Sequence, residues 1–319
     1  MSMHSKHWQR ARKVLTLGFF ILVPVLLFSL LRNLDWQEVR HALVAYRWQT
    51  LALAVLISAC SFALFSSFDL IGRRYTGHSL PARQVLPLAF VCYAFNLNLS
   101  AWVGAIALRY RLYSRLGLPV STITRILSLG LVTNWLGYLI LAGTLFVCGL
   151  PRLPAGLEIG SNGLRLIGAL LLVVAAAYLL ACRFARRRTW QVRGHEITLP
   201  SLRMAALQAV MGACNWALMA LVVYSLLPDK VGYPTILAVL LISSIAGVIT
   251  HIPAGLGVLE TVFLTLLQGS FSKGTLLAAL IGYRAVYFLL PLMVAGVVYL
   301  VLERLASQRS RAARSGSIG

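Results

Sequence analysis

Three of the 37 formally charged residues stand inside apolar runs: Asp69, Glu260 and Arg284. A charge at the centre of a bilayer costs roughly 2.5–3.5 kcal/mol even on lenient insertion scales, so each needs a partner or a task. Asp69 lies at the end of its run, and with Arg73 one turn later it reads as an interfacial cap. Glu260 lies nine residues before Gly269, and Arg284 nine residues after Thr275. At 1.5 Å per helical residue both are about 14 Å deep, near the midplane. Matched depth and opposite sign predict an ion pair. Such a pair is either a structural lock or a substrate-binding pair. Were transport proton-coupled, Glu260 would be the candidate carrier. Tyr287 shares a helix face with Tyr283 and with Arg284 and is a candidate to bond a headgroup or to complete the pair. The turn Pro253-Ala-Gly255-Leu-Gly257 precedes Glu260 and belongs to the same candidate site.

A second polar stretch interrupts residues 85–108, with Asn96, Asn98, Ser100, Trp102 and Gly104. It is followed by Arg109-Tyr110-Arg111-Leu112-Tyr113-Ser114-Arg115. Guanidinium groups suit phosphate, which accepts paired hydrogen bonds. The candidate lipid-binding residues here are Asn96, Asn98, Trp102, Gly104, Arg109 and Arg111. Arg109 stands nearest the break and is the leading candidate for a headgroup. The bland alternative is that these arginines only fix topology.

The elements that position these residues follow from composition. The chain has 319 residues, 59% hydrophobic and 12% charged. A soluble domain carries about 25% charged residues, and a disordered chain is far less apolar, so both classes are excluded. The 29 Lys+Arg against 8 Asp+Glu mark a membrane surface rather than nucleic acid. The five cysteines lie in or beside apolar runs without a CxxC pair and read as small buried hydrophobes. No HExxH, Walker A, GxSxG or GxGxxG sequence occurs, and no metal or cofactor is expected.

A spanning helix needs about 20 apolar residues. Six runs qualify: 14–31, 49–71, 123–149, 164–182, 204–227 and 275–302. The first, behind four basic residues, reads as a retained helix, not a cleaved leader. Segments 85–108 and 233–269 are apolar but broken. Basic residues place them: four in 1–13, three in 72–84, four in 109–125, six in 183–203 and four in 303–319. All of these fall on the cytoplasmic side if 85–108 enters and leaves there and 233–269 does so from the periplasm. The predicted fold is therefore an all-α polytopic membrane bundle, six spans plus two oppositely oriented re-entrant hairpins, with eight simple spans as the alternative. Residues 1–319 form one transmembrane domain, and both basic termini, 1–13 and 303–319, are cytoplasmic. Paired broken segments in two halves point to a transport site near the midplane.

The chain resembles the flippase-like family that shares the transmembrane region of lysylphosphatidylglycerol synthases. The resemblance covers nearly all of it. It rests on Cys92 to Gly104, Arg109 to Gly117, Ser243 to Glu260, and Tyr283-Arg284. The family's Pro/Gly turn followed by Glu, with a later Arg, matches Pro253, Gly255, Gly257, Glu260 and Arg284. Its Gly-then-Arg pattern matches Gly104 and Arg109. The resemblance implies a Gram-negative inner membrane and movement of lipid between leaflets. The synthases' aminoacyltransferase domain is missing from the sequence, so lysyl transfer is not expected. The leading expectation is a non-enzymatic transporter of an anionic phospholipid of the phosphatidylglycerol or cardiolipin class. The alternatives are an ion or small-solute transporter and a membrane scaffold for lipid or envelope enzymes. The expected partners are that lipid, the membrane, and a second copy or a lipid enzyme.

Overall fold

The computed structural model describes residues 46–98, 106–151, 160–185, 189–192, 195–250, 255–267 and 269–315, with positions 37 and 44. The predicted span 14–31, the terminus 1–13, Trp102, Gly104, His251 and Pro253 lie outside the described residues. Eleven α-helices are described: α1 Trp48–Ser66, α2 Phe68–Thr76, α3 Ala82–Asn98, α4 Leu108–Arg115, α5 Val120–Val147, α6 Gly160–Phe184, α7 Leu202–Leu226, α8 Tyr233–Thr250, α9 Val258–Leu267, α10 Lys273–Tyr283 and α11 Leu290–Ser315. A six-residue π segment, Arg284–Leu289, joins α10 to α11.

Six described helices are long and apolar enough to cross a membrane: Trp48–Thr76, Val120–Val147, Asn162–Phe184, Leu202–Leu226, Tyr233–Thr250 and Lys273–Arg304. Five coincide with predicted spans. The other, α8, is the first part of the segment read as one hairpin. The break at 251–257 lies late in that segment and leaves 18 helical residues before it and only ten, in α9, after it. Segment 85–108 holds most of the 17-residue α3, and the eight-residue α4 begins at its last residue. Both broken segments are thus a long helix followed by a short one. The all-α expectation describes the bundle. The arginine-rich connection 183–203 adds an antiparallel pair, β1 Thr189–Val192 and β2 His195–Thr198. It docks where Tyr75 and Arg125 reach Thr198.

Helix ends are set locally. Ser201 and Ser272 cap α7 and α10 by accepting the N–H of Met204 and Thr275. Gly77 and Gly117, in the left-handed region, close α2 and α4. The outer face of the bundle keeps large apolar side chains exposed, such as Leu166, Leu170 and Val173 on α6, as a lipid-facing helix requires. Of the cysteines, Cys92 and Cys182 are buried, while Cys60, Cys148 and Cys214 are exposed. The expectation that all five are buried fails for Cys60 and Cys214, on outward faces of α1 and α7, and for Cys148, just past the end of α5.

Between α5 and α7 the backbones touch. A Cβ on Gly212 would lie 2.1 Å from the carbonyl oxygen of Thr133, and one on Gly137 would lie 2.1 Å from the carbonyl carbon of Gly212. Backbone on both sides leaves nothing that can rotate away. Small residues of this kind let membrane helices approach closely. Gly212→Ala is therefore expected to destabilise the protein by about 3 kcal/mol, the upper range of overpacking costs. Thermal unfolding of the detergent-solubilised variant measures this, and an unchanged midpoint would contradict the close approach.

Candidate functional site

The predicted pair of Glu260 and Arg284 is present. Arg284 Nε donates to Glu260 Oε1 at 2.6 Å, and Nη2 donates to Oε2 at 3.1 Å. The contact is bidentate, the strong geometry for guanidinium and carboxylate. Arg284 is buried, and the Glu260 side chain is 19% exposed. Two further bonds tie the pair to the break. Gly257 N–H donates to Glu260 Oε2 at 2.9 Å, and Arg284 Nη2 donates to Gly255 O at 3.1 Å. Glu260 therefore reaches back over the first turn of α9 in the manner of a capping box, where the helix dipole favours a negative charge. Gly255 (φ 57) and Gly257 (φ 80) hold left-handed backbone, which disfavours any side chain there. Arg284 Cζ also lies 5.6 Å from the ring centroid of Phe288.

Tyr287 does not complete the ion pair. Its hydroxyl meets Ser61 Oγ at 2.7 Å and Tyr93 OH at 3.0 Å. Ser61 Oγ also donates to Asn215 Oδ1 at 2.9 Å. Tyr283 stacks on Tyr287 with centroids 5.3 Å apart. The reason lies in the π segment, whose wider turn frees backbone carbonyls. Ser58 Oγ donates to Val286 O at 3.2 Å and Asn98 Nδ2 donates to Phe288 O at 3.2 Å. Asn98 thus ties the end of α3 to the π segment, and Asn96 is half-buried two residues earlier.

Asp69 corrects the sequence reading. It is 1% exposed and does not cap against Arg73. Its carboxylate accepts from Arg109 Nη2 and Tyr113 OH, each at 2.8 Å. Arg109 is likewise buried, 5% exposed, with its Nε unbonded. The leading headgroup candidate thus pairs with an acid 40 residues earlier in the chain. At the start of α4 a cation opposes the helix dipole, and Asp69 compensates it. His78 lies beside this cluster, its ring centroid 6.4 Å from that of Tyr113. Burial, aided by Arg73, holds its imidazole below the usual range. Arg111 faces elsewhere. It bonds Glu303 at 2.9 Å, and Arg115 meets the same carboxylate. Sequence reasoning missed the partner of Asp69, and missed His78 and Glu303, because these contacts are remote in sequence or at helix ends.

A multi-pass bundle with long-then-short broken helices and buried ion pairs defines an integral membrane protein. The chain belongs to the family of the lysylphosphatidylglycerol synthase transmembrane region, matched over residues 14–295. It is 47% identical over 309 residues to the inner membrane protein YbhN of Escherichia coli, covering 97% of each chain. It is 29% identical over 323 residues to the uncharacterized protein slr0712 of Synechocystis, covering 97% of this chain and 98% of that one. It is a multi-pass protein of the inner membrane.

Proposed function

We propose that this protein moves phospholipids with anionic headgroups between the leaflets of the inner membrane, without bond-making chemistry or nucleotide hydrolysis. The observation that carries the reading is the Glu260–Arg284 pair. It stands at the break between α8 and α9, against the π segment, and couples ionised groups to opened backbone inside an apolar bundle. Broken helices with polar groups at membrane depth serve transport paths, because elsewhere hydrocarbon penalises them. The family's description, the transmembrane region of a synthase for a phosphatidylglycerol derivative, supports a lipid as cargo. In this reading both broken segments re-enter the side they left, α3–α4 at the cytoplasm and α8–α9 at the periplasm, and both termini are cytoplasmic. Cytoplasmic arginines gather anionic lipid at about 1 kcal/mol per surface charge.

Leaflet exchange of headgroup-labelled phosphatidylglycerol, cardiolipin and phosphatidylethanolamine in proteoliposomes tests the proposal. The anionic lipids are expected to exchange faster than in protein-free vesicles, and Glu260→Gln to remove the gain. Exchange at the protein-free rate for every lipid would refute a lipid mover. Equal activity in Glu260→Gln would detach the pair from the path.

A further inference from the structure

The described helices repeat. α1, α3, α4 and α5 begin at 48, 82, 108 and 120, and α7, α8, α9 and α10 begin at 202, 233, 258 and 273. The offsets are 154, 151, 150 and 153 residues. In each set a long helix is followed by a broken pair and then by a second span, α5 in the first and α10 continued through the π segment into α11 in the second. The packing is duplicated too. α3 lies against α1 and α4, as α8 lies against α7 and α9. Across the halves, α3 packs on α11 as α8 packs on α5, and α1 packs on the π segment as α7 packs on α5.

Individual contacts follow the same offsets. Ser58 reaches Val286 O, and its equivalent, Gly212, lies against the carbonyl of Thr133, the equivalent of Val286. Phe62 packs on Tyr287 with centroids 5.3 Å apart, while Trp216 Nε1 donates to Asn134 O at 3.0 Å. Phe62 and Trp216 are again 154 residues apart, and Asn134 and Tyr287 are 153 apart. Ser61 bonds Asn215, its own equivalent at an offset of 154. A position that meets its own equivalent lies on a twofold axis, and contacts exchanged between halves are what such an axis produces.

The ion pairs occupy mirrored depths. Arg109 in α4 and Glu260 in α9 are opposite in charge and 151 residues apart, within one residue of the offset between the two helices. Arg109 is six residues before Arg115, where α4 ends, and Glu260 is seven before Leu267, the end of α9. Each is about 10 Å from the end of its short helix. Connection 72–84 after α1–α2 and connection 183–203 before α7 are both arginine-rich, so α1 and α7 cross in opposite directions.

We infer that residues 48–147 and 202–304 are two inverted copies of one unit about an axis through Ser61 and Asn215, and that Asp69–Arg109 and Glu260–Arg284 are the cytoplasmic and periplasmic gates of one path past that axis. Both gates are closed in this structure. Breaking one gate tips the molecule toward the state open on that side. The identity of the cargo rests on the lipid reading above, but the gates are testable without a cargo.

The test uses full-length protein with its five cysteines replaced and a single probe, Ser61→Cys, in membrane vesicles of both orientations. Ser114→Cys, on the exposed end of α4, reports the cytoplasmic side. Removing both charges of a gate avoids a stranded ion, so the variants are Asp69→Asn/Arg109→Gln and Glu260→Gln/Arg284→Gln. With the cytoplasmic gate broken, an impermeant maleimide should label the thiol introduced by Ser61→Cys about tenfold faster from the cytoplasm and more slowly from the periplasm, as a population shift requires. The periplasmic gate variant should do the reverse. Faster labelling from one and the same side in both variants, or no change in either while the thermal midpoint stays within a few degrees of the parent, overturns the gates. If labelling alternates but no lipid exchanges, the gates stand and the lipid reading fails.

Discussion

Asp69→Asn, with Arg109 left in place, is expected to lower the unfolding free energy by about 3–5 kcal/mol, because it strands a buried guanidinium. Arg109→Gln should cost about as much by stranding the carboxylate. The combined Asn/Gln variant should recover most of the loss, since neutral amides can bond to each other and to Tyr113. Arg187→Gln, in the arginine-rich connection, removes the same charge and should stay within about 0.5 kcal/mol of the parent. Denaturant titration of the four variants in one detergent measures the cycle. If the double variant is as damaged as the sum of the singles, the two residues act separately and the ion pair does not explain their burial. Lipid retention by native mass spectrometry separates a local contribution of Arg109 from the diffuse field. Arg109→Gln should lose phosphatidylglycerol or cardiolipin more than Arg187→Gln does, and equal losses would leave only the field.

Glu260→Gln and Arg284→Gln should each be costly as single changes, again by about 3–5 kcal/mol. The Glu260→Gln cost includes a second effect. The carboxylate holds Gly257 N–H as well as the guanidinium, so its loss also loosens the start of α9. Arg284→Gln leaves that bond in place, but frees Gly255 O. Glu260→Gln is therefore expected to raise hydrogen exchange at the amides of α9, and Arg284→Gln to raise it chiefly in the π segment. Mass-resolved exchange distinguishes the two patterns. Identical exchange in both variants would show that the break is held by other contacts.

These two pairs also show what a single sequence makes legible. Glu260 and Arg284 could be matched because each lay a countable distance from a helix end and no other charge was near either. Asp69 was assigned to Arg73, the nearest base on its own helix, when its partner is Arg109, one residue past the end of the apolar run. Proximity in sequence outweighed a contact created by folding. Five of the six described apolar helices were visible from length alone, whereas the unequal division of the broken segments depended on where Pro and Gly fall within them. The π segment carries no such marker. Arg284-Ala-Val-Tyr-Phe-Leu289 has the composition of an ordinary helix, and only packing against Ser58 and Asn98 reveals its wider turn. The β1–β2 pair was masked by the arginines around it, which signal membrane side more strongly than strand.

The π segment has one more effect, on angular phase. An extra residue accommodated in a helix turn rotates everything after it by about 100° relative to an unbroken helix. α10 and α11 therefore present faces that no continuous α-helix could present together. Arg284, at the start of the wide turn, points to Glu260 at the α8–α9 break, while Tyr299 and Glu303, beyond it, meet each other and the arginines of α4. Straightened, the helix would keep one set of partners and turn the other toward lipid. The widened turn acts as a phase shifter between the two broken segments, letting a single transmembrane rod answer to both.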